Sequence, residues 1–567
     1  MVLDSASPSA GYLRWRVLVT ALGITLAVMS AFWILMPPTY LTNDDVIIKR
    51  TLEGLIAPGA APTGYVLSSS AVLGWILVWI ERLIHRDAWD LVVAGLLIIS
   101  TAALLALMWS VAVNRSDRLL PVAGAIIALA PLQEALQFTV SATLAGIAAM
   151  AMAAMELLLP VPRRRVLIGA AALLLVGLMV RPMGAAAGAL VTAAALLPVA
   201  ASDRDLRWRR VRRLALAAAM VVCSTVLLDY IDHVVYRLSP VWNAYRDDHW
   251  MLARFFEWRG GMPATVVASL RARLGWSSTE WQLLQRFWGV DAAIYSHERI
   301  QELFPAWSAI VDWRLRAGWL TERMAAELNI GALLRLFAES WTALVVCALA
   351  LVSHGTRRAL LAALGSATIF YGACMIIEIF FKELPLRLFA PLQAGLVAAV
   401  LMTPRTIVPR TSPLMTAFCS VLAVAGVVYQ SQVVASDAIA ETRQSKETDA
   451  QVLELMQLRP SLLLLHGDSF PSEFWWRPFH TPPLSLPAIQ LGLNNRNPYV
   501  QRFVAHSYRD SLLRGICSDP SIIVVAEHGR LDAVTAFLKE QYGADVQWSE
   551  VYSGSFRAWR CSLAGSH

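Results

Sequence analysis

Apolar runs long enough to cross a lipid bilayer recur along most of this 567-residue chain. A helix needs about 20 mostly apolar residues to span the hydrocarbon core, where it satisfies its own backbone hydrogen bonds. Hydrophobic residues make up 57% of the sequence, more than is typical of soluble domains. The pattern predicts a polytopic α-helical membrane protein with about eleven transmembrane helices. The predicted spans are 17–36, 91–113, 119–130, 140–159, 167–180, 184–199, 214–228, 333–352, 359–379, 389–402 and 414–433.

Loop charge decides how the ambiguous apolar run 66–84 is placed. If this run lies on the membrane surface as an amphipathic helix and the N-terminus is cytoplasmic, the arginine-rich loops, including 204–213, all face the cytoplasm. If it spans the membrane, every later loop changes sides. The surface placement is therefore expected, and the net charge of +7 is attributed to topology rather than to nucleic-acid binding.

This topology divides the chain into two predicted domains. A transmembrane domain covers 1–433, with a first outer loop at about 37–90 and a large outer loop at about 229–331. Residues 434–567 follow on the outer side. Buried-type strands at 461–466 and 521–526 and a helical pattern at 531–542 predict a small extracytoplasmic α/β domain there.

Two of the six cysteines, Cys517 and Cys561, lie in this C-terminal domain. In an oxidising compartment they could form a disulfide, and the alternative is a pair of buried thiols. The cysteines have neither CxxC spacing nor clustered histidines, so the pattern does not favour a zinc site.

Two adjacent acids, Asp44 and Asp45, lie a few residues beyond the Pro-Pro pair that ends the first apolar run. Carboxylates this close to a membrane surface are either solvated or functional. The structural alternative is a helix cap, with Asn43 or Asp44 capping a helix that begins near Asp45. Lys49 and Arg50 are expected to contact solvent or lipid headgroups, and Asp45 is expected to orient Lys49 four residues later.

The order of these features resembles the GT-C glycosyltransferases, membrane enzymes that use polyprenyl-phosphate sugars. In that family an acidic pair follows the first helix, as Asp44 and Asp45 do here, and an aromatic, apolar interfacial segment comes next, as 62–82 does here. The stretch 382–391 is similar to the Arg-aromatic-Pro start of a late helix in the family. The resemblance covers about 16–433, and it departs from the family at Asp45, where many members have Glu.

The resemblance implies an inverting glycosyltransferase on the outer face of a membrane, and the composition suggests a bacterial inner membrane. One acid of the pair would be the catalytic base; Asp44 is favoured over Asp45. Arg387, Lys382 and Arg181 would bind the donor phosphate, because arginine side chains match phosphate geometry. The structural alternatives are an interface anchor for Arg387 and a helix-end turn for Arg181.

A polar and aromatic cluster in the large outer loop is the predicted surface for the acceptor or sugar. It is followed by Trp276, Trp281 and Trp288, whose rings either pack on sugars or anchor the protein at the membrane interface. No cofactor is required by the pattern, although Asp247, Asp248 and His249 could help an acid of the pair to bind a divalent cation. The residues predicted to contact the acceptor or sugar are Tyr65, Tyr245, Arg246, Asp247 and His249.

Three other classes of function compete with this interpretation. A glycolipid transporter or flippase predicts internal repeats and polar residues at mid-membrane, which the sequence does not clearly have. A lipid-linked glycan polymerase or ligase would use outer arginines but would not need the acidic pair. A non-catalytic scaffold displaying its C-terminal domain would need neither.

Overall fold

The structure is a computed structural model, and it describes most of the chain. The described residues are 15–35, 37–84, 87–111, 135–159, 161–202, 206–256, 264–305, 357–381, 386–402, 413–480, 482, 484–508 and 511–563.

Long apolar helices form the membrane part of the structure. Six helices among the described residues are long and apolar enough to cross a membrane. At 1.5 Å per residue, about 20 residues match the thickness of the hydrocarbon core. These helices are α1 (Trp15–Leu35), α4 (Ala88–Val111), α5 (Phe138–Leu157), α7 (Pro182–Ala201), α8 (Arg207–Arg237) and α13 (Arg357–Phe381).

Three further helices coincide with predicted spans: α6 (Arg164–Val180), α14 (Leu386–Leu401) and α15 (Pro413–Gln457). The predicted spans 119–130 and 333–352 lie outside the described residues. The ambiguous run contains α3 (Ala71–Ile84), whose 14 residues are too few to cross a bilayer, which agrees with the surface placement.

Helix α5 is the centre of the membrane part and is buried along almost its whole length. Its small residues allow the neighbouring backbones to come very close. A side chain at Gly146 would collide with the carbonyl oxygen of Ala185 on α7, and one at Gly188 of α7 would collide with the carbonyl oxygen of Thr143. Small residues at such crossings are a common way to pack membrane helices.

Short elements connect the long helices near their ends. Strand β1 (Thr39–Tyr40) pairs in parallel with β2 (Ala135–Leu136), and α2 (Asn43–Glu53) lies between β1 and α3. In the large outer loop the helices are α9 (Pro240–Phe256), α10 (Ala264–Leu274), α11 (Ser278–Gln285) and α12 (His297–Gln301).

The C-terminal part is a mixed five-stranded sheet with helices. Its strand order is β4, β3, β5, β7, β6, in which β4, β3 and β5 are parallel and β7 pairs antiparallel with both β5 and β6. The parallel strands are buried on both faces and are mostly apolar, with His466 at the end of β3 and Gln490 within β4 as their polar residues. The strands are β3 (Leu462–His466), β4 (Ala488–Leu491), β5 (Ile522–Val525), β6 (Val546–Ser553) and β7 (Arg557–Leu563); the helices are α16 (Ser472–Trp475), α17 (Pro498–Tyr508), α18 (Leu512–Ser518) and α19 (His528–Tyr542). The predicted domain boundary at 433 falls inside α15.

The large outer loop and the C-terminal sheet share one hydrophobic core. Trp276, Trp281 and Trp288 are buried in a cluster that also contains Leu462 of β3 and Phe537 of α19. The sequence suggested that these tryptophans contact a sugar or the membrane interface. That prediction was wrong, because all three side chains are buried in this core. Their rings are covered because the outer loop folds against the sheet, a contact between distant parts of the chain.

The two cysteines of the C-terminal domain form a disulfide in this structure. Cys517 at the end of α18 and Cys561 on β7 have Cα atoms 4.6 Å apart. This separation lies within the range that disulfides require. The bond links a helix to an inner strand of the sheet across 44 residues of sequence.

We expect the purified, unreduced protein to carry this disulfide. Mass spectrometry after alkylation without reductant should leave Cys517 and Cys561 unmodified, while Cys223, which is exposed, reacts in unfolded protein. Replacing either cysteine by Ala should cost about 2–4 kcal/mol of stability, because the cross-link restricts the unfolded chain. Alkylation of both cysteines in the unreduced protein would contradict the bond.

Candidate functional site

Helix α2 carries the acidic pair and begins earlier than the sequence predicted. Thr42 is the N-cap in an extended conformation and makes no side-chain cap hydrogen bond, so neither Asn43 nor Asp44 has the predicted capping role. Asp44 and Asp45 both lie in the first turn, where the helix dipole favours negative charge. The helix ends at Gly54, whose positive φ of 75° suits glycine.

The two acids of the pair have different environments. Asp45 is fully buried, and its Oδ1 accepts hydrogen bonds from Trp89 Nε1 at 3.3 Å and from the backbone N of Phe138 at 3.2 Å. Burial raises the pKa of Asp45 well above its ordinary value, and the neighbouring Asp44 raises it further. Burial therefore favours the neutral form of Asp45, which acts as a packing group between α2, α4 and α5.

Lys49 is buried, and the expectation of a solvated side chain oriented by Asp45 was wrong. Its Nζ lies 2.7 Å from Asp87 Oδ2 and 3.0 Å from Asp90 Oδ2, and it donates to the carbonyl oxygen of Arg477 at 3.4 Å. The reason is that α2 lies between α4 and the C-terminal domain, which together cover its polar face.

Arg50 is also buried, contrary to the sequence-based expectation. Its Nη2 donates to the carbonyl oxygens of Leu55 at 2.6 Å and Ala488 at 2.9 Å. Its guanidinium lies 4.3 Å from the centre of the Trp476 ring. Burial lowers the pKa of Arg50 to about 10, which leaves it charged at neutral pH.

A polar pocket opens where α2, the helix ends and the C-terminal domain meet. It gathers Asp44, Tyr65, Arg181, Tyr245, His249 and Arg387, all of which the sequence had singled out. Asp44 is the one carboxylate among the described residues that line it. The other lining residues are Asn43, Ile47, Ile48, Thr51, Val66, Leu67, Ser68, Trp250, Ala253, Phe287, His466, Gly467, Gln490, Leu491, Gly492, Asn494, Asn497 and Arg530.

Asp44 and Arg387 form an ion pair within this pocket. Arg387 Nη1 lies 3.7 Å from Asp44 Oδ2, and the side chains are 33% and 45% exposed, respectively. A long, partly exposed ion pair is weak, so a ligand can displace either partner. The pair joins the residue predicted to accept a proton to a residue predicted to bind phosphate.

Arg181 is held at the single-residue junction between α6 and α7. Its Nη1 donates to the carbonyl oxygen of Ser68 at 3.1 Å, and its guanidinium lies 5.1 Å from the centre of the Phe138 ring. Pro182 starts α7 and so fixes the turn. Lys382, the third predicted phosphate ligand, lies outside the described residues.

Helix phase separates the predicted residues of α9 into two groups. Tyr245 and His249 are four residues apart and face the pocket together. Arg246 and Asp247 do not line the pocket, although the sequence placed them in the same site. Arg246 instead contacts His233 at 2.6 Å and Asp229 at 3.5 Å, and Asp247 accepts a hydrogen bond from Asn243 at 3.1 Å.

Aromatic rings form one side of the pocket. Tyr65 stacks on Trp242 with ring centres 5.1 Å apart and an interplanar angle of 16°. The Tyr245 hydroxyl donates to Asn494 Oδ1 at 2.7 Å, which ties α9 to the C-terminal domain. Burial raises the pKa of Tyr245 further above its usual range, so this hydroxyl remains a hydrogen-bond donor at neutral pH.

The C-terminal domain supplies lining residues that the sequence reasoning missed. His466 ends β3 and Leu491 ends β4, and Gly467 and Gly492 follow them, so both pairs lie at the carboxyl edge of neighbouring parallel strands. Ligands commonly bind at that edge of a parallel sheet. The predicted strand at 461–466 could have indicated that His466 lies at this edge. The strand β4 was not predicted, so Leu491 and Gly492 were not expected there.

The possible divalent cation has no cluster of ligands in the described residues. No group of three or more His, Cys, Asp or Glu side chains that could hold a metal ion occurs in that part of the chain. Asp248 is buried and its carboxylate contacts His297 at 2.7 Å and Arg496 at 3.4 Å instead. The cluster that suggested a cation is therefore split between the pocket and a structural network.

The fold and the pocket define a polytopic α-helical membrane protein whose C-terminal domain completes a polar pocket at the helix ends. No protein-family model and no curated protein matches the sequence. Among solved structures, the chain is similar to ArnT from Cupriavidus metallidurans bound to undecaprenyl phosphate, with 11% identity, a TM-score of 0.38, and coverage of 96% of this chain and 98% of that chain. The apo state of the same protein gives 13% identity, a TM-score of 0.37, and coverage of 96% and 97%.

A half-buried carboxyl beside this site makes stability depend on pH. Burial raises the pKa of Glu53, at the end of α2, from its ordinary value near 4.5 to about 8. The folded protein therefore binds more protons than the unfolded chain between these values, so stability should fall as pH rises from about 4.5 to about 8. Glu53→Gln should flatten this fall, because the amide does not ionise.

The measurement is the thermal unfolding midpoint in detergent across this pH range. Glu447→Gln is the matched control, because Glu447 is about half exposed and pairs with Arg443 on the same helix. Its pH slope should equal that of the wild type. A Glu53→Gln slope identical to the wild-type slope would mean that Glu53 does not bind the proton.

Proposed function

We propose that this protein is a glycosyltransferase of the GT-C type. It transfers a sugar from a polyprenyl-phosphate donor to an envelope glycan or lipid acceptor on the outer face of a bacterial inner membrane. The observation that carries the proposal is the shared pocket of Asp44, Arg387 and Arg181 at the ends of apolar helices. A lipid-linked donor would keep its chain beside the apolar helices while its phosphate and sugar enter the polar pocket.

Asp44 is the proposed general base. An acceptor hydroxyl attacks the anomeric carbon of the donor sugar, and its proton passes to a carboxylate oxygen of Asp44. The bond between that carbon and the phosphate oxygen breaks as the new glycosidic bond forms. Arg387 and Arg181 balance the charge that develops on the departing polyprenyl phosphate.

This arrangement favours inversion of the anomeric centre. A retaining double displacement uses a second carboxylate as a nucleophile about 5 Å from the first. Asp45, on the same helix, is fully buried and does not line the pocket, and Asp44 is the one carboxylate lining the pocket among the described residues. A single in-line displacement therefore fits the available groups.

The ion pair suggests how donor binding prepares the base. Without donor, Arg387 partly neutralises Asp44 across 3.7 Å. A donor phosphate competes for the Arg387 guanidinium, because a phosphate offers several acceptor oxygens to it. Asp44 then becomes free to accept a hydrogen bond from the acceptor hydroxyl. A scaffold has no use for this exchange, whereas a flippase or a glycan polymerase would use the arginines without needing a base.

Asp44→Asn should lower turnover by about 10²–10⁴-fold, because the amide keeps the shape of the side chain but cannot accept the proton. Asp45→Asn is the matched control, since Asn keeps the oxygen that accepts from Trp89 and Phe138. It should retain turnover close to the wild-type value. The assay is transfer from a polyprenyl-phosphate sugar by purified protein, with folding checked by thermal unfolding. Wild-type turnover in folded Asp44→Asn protein would remove the base and favour the flippase or scaffold.

A further inference from the structure

Three carboxamide side chains from the C-terminal domain form one wall of the pocket. Gln490 lies on β4, Asn494 lies in the following short turn of 3₁₀-helix, and Asn497 precedes α17. All three line the pocket and are more than nine-tenths buried. We call Gln490, Asn494 and Asn497 the carboxamide wall.

The protein holds each member of the wall in a defined orientation. Asn494 Oδ1 accepts from the Tyr245 hydroxyl at 2.7 Å, and Asn497 Oδ1 accepts from the backbone N of Tyr499 at 2.9 Å. Gln490 Nε2 donates to Ser472 Oγ at 3.3 Å. Pre-oriented polar groups of this kind give binding sites their specificity, because the ligand does not have to order them.

Gln490 keeps one polar atom without a partner. Its Oε1 is buried and has no hydrogen-bond partner in the part of the chain that the structure describes. A buried acceptor left unsatisfied costs stability, so such an atom in a native protein requires an explanation. Gln490 itself is one of the residues that line the pocket, so a donor on a bound ligand is the partner that we assign to this atom.

The wall carries no formal charge, whereas Asp44, Arg181, Arg387 and Arg530 in the same pocket lining do. A carboxamide offers both a donor and an acceptor, which is what a sugar hydroxyl group requires of its partner. An ionic ligand would instead need a counter-charge. The chemistry of the wall therefore matches a neutral polyol.

We infer that the carboxamide wall binds the hydroxyl groups of the donor sugar, with Gln490 Oε1 accepting a hydrogen bond from one of them. This inference rests on the proposed function and assigns the C-terminal domain a part in donor recognition. The sugar is bonded directly to the phosphate, so a phosphate held by Arg387 and Arg181 keeps the sugar within the same pocket. The acceptor is not bonded to the phosphate. The competing interpretation is that the wall binds the acceptor, in which case changes in the wall would affect acceptor use alone.

The test compares the dissociation constants of two lipids, polyprenyl phosphate and polyprenyl-phosphate hexose, for the full-length protein in nanodiscs. Glucose, galactose and N-acetylglucosamine donors form the sugar panel. The wild type should bind at least one sugar-bearing lipid more tightly than polyprenyl phosphate. Gln490→Met removes Oε1 at similar side-chain size and should reduce this preference about 3–10-fold, the range for one net hydrogen bond. Its affinity for polyprenyl phosphate should not change.

Two other variants separate the wall from the phosphate site and from stability. Arg387→Ala should weaken binding of both lipids to a similar extent, because both carry the phosphate. Thr448→Val is the matched control. It removes a buried hydroxyl that, like Gln490 Oε1, has no partner among the described residues, but Thr448 does not line the pocket. Both dissociation constants should remain unchanged. If Gln490→Met does not fold, Asn497→Asp replaces it, because Asp keeps the oxygen that accepts from Tyr499. This variant lacks the amide N–H and should also lower the sugar preference.

Three results would overturn the inference. An unchanged sugar preference in folded Gln490→Met or Asn497→Asp protein would make the wall structural only. A change in the Michaelis constant of the acceptor with unchanged donor binding would assign the wall to the acceptor. With either of these two results, loss of lipid binding in Arg387→Ala would leave the proposed function standing. The third result is wild-type protein that binds neither lipid, which would overturn the proposed function as well.

Discussion

The burial of Arg50 is the interaction on which the geometry of the pocket depends. A buried guanidinium is costly unless its N–H groups have acceptors. Here the carbonyl oxygens of Leu55 and Ala488 accept from Nε and Nη2, whereas Nη1 has no hydrogen-bond partner among the described residues. Ala488 starts β4, the strand that carries Gln490, while Arg50 belongs to the same helix as Asp44. This one side chain therefore ties the helix that carries Asp44 to the strand that carries Gln490. Lys49 strengthens the same junction through Asp87, Asp90 and the carbonyl oxygen of Arg477.

Local sequence patterns predicted the parts of this structure that depend on neighbouring residues. Apolar runs of bilayer length became helices, and charge bias at the loops placed 66–84 at the surface, where α3 is indeed too short to span. Asp44 and Arg387 were recognised because each lies next to the end of an apolar run. The sequence also contained a signal that was not used. On a helix, the four-residue spacing places Tyr245 and His249 on one face and Arg246 and Asp247 on others.

The features that were missed depend on contacts between distant parts of the chain. Arg50 and Ala488 are 438 positions apart, so nothing near Arg50 in sequence indicates that its charge is buried. A basic residue beside a membrane helix is normally solvated, and that expectation failed because the C-terminal domain covers α2. The tryptophans of the outer loop were misassigned for the same reason. Gln490 lies on a short strand that lacked a clear sequence pattern, and Asn494 and Asn497 follow that strand, so their place in the pocket depended on the sheet topology.

The central claim is that the pocket between Asp44 and Arg387 is the site of sugar transfer. The most direct measurement is a cryo-electron microscopy structure of the protein in nanodiscs with a saturating polyprenyl-phosphate hexose and the Asp44→Asn substitution to prevent turnover. The account predicts phosphate oxygens about 2.7–2.9 Å from the Arg387 guanidinium, with the sugar between residue 44 and Gln490. A bound lipid whose phosphate lies elsewhere, with this pocket empty, would contradict it.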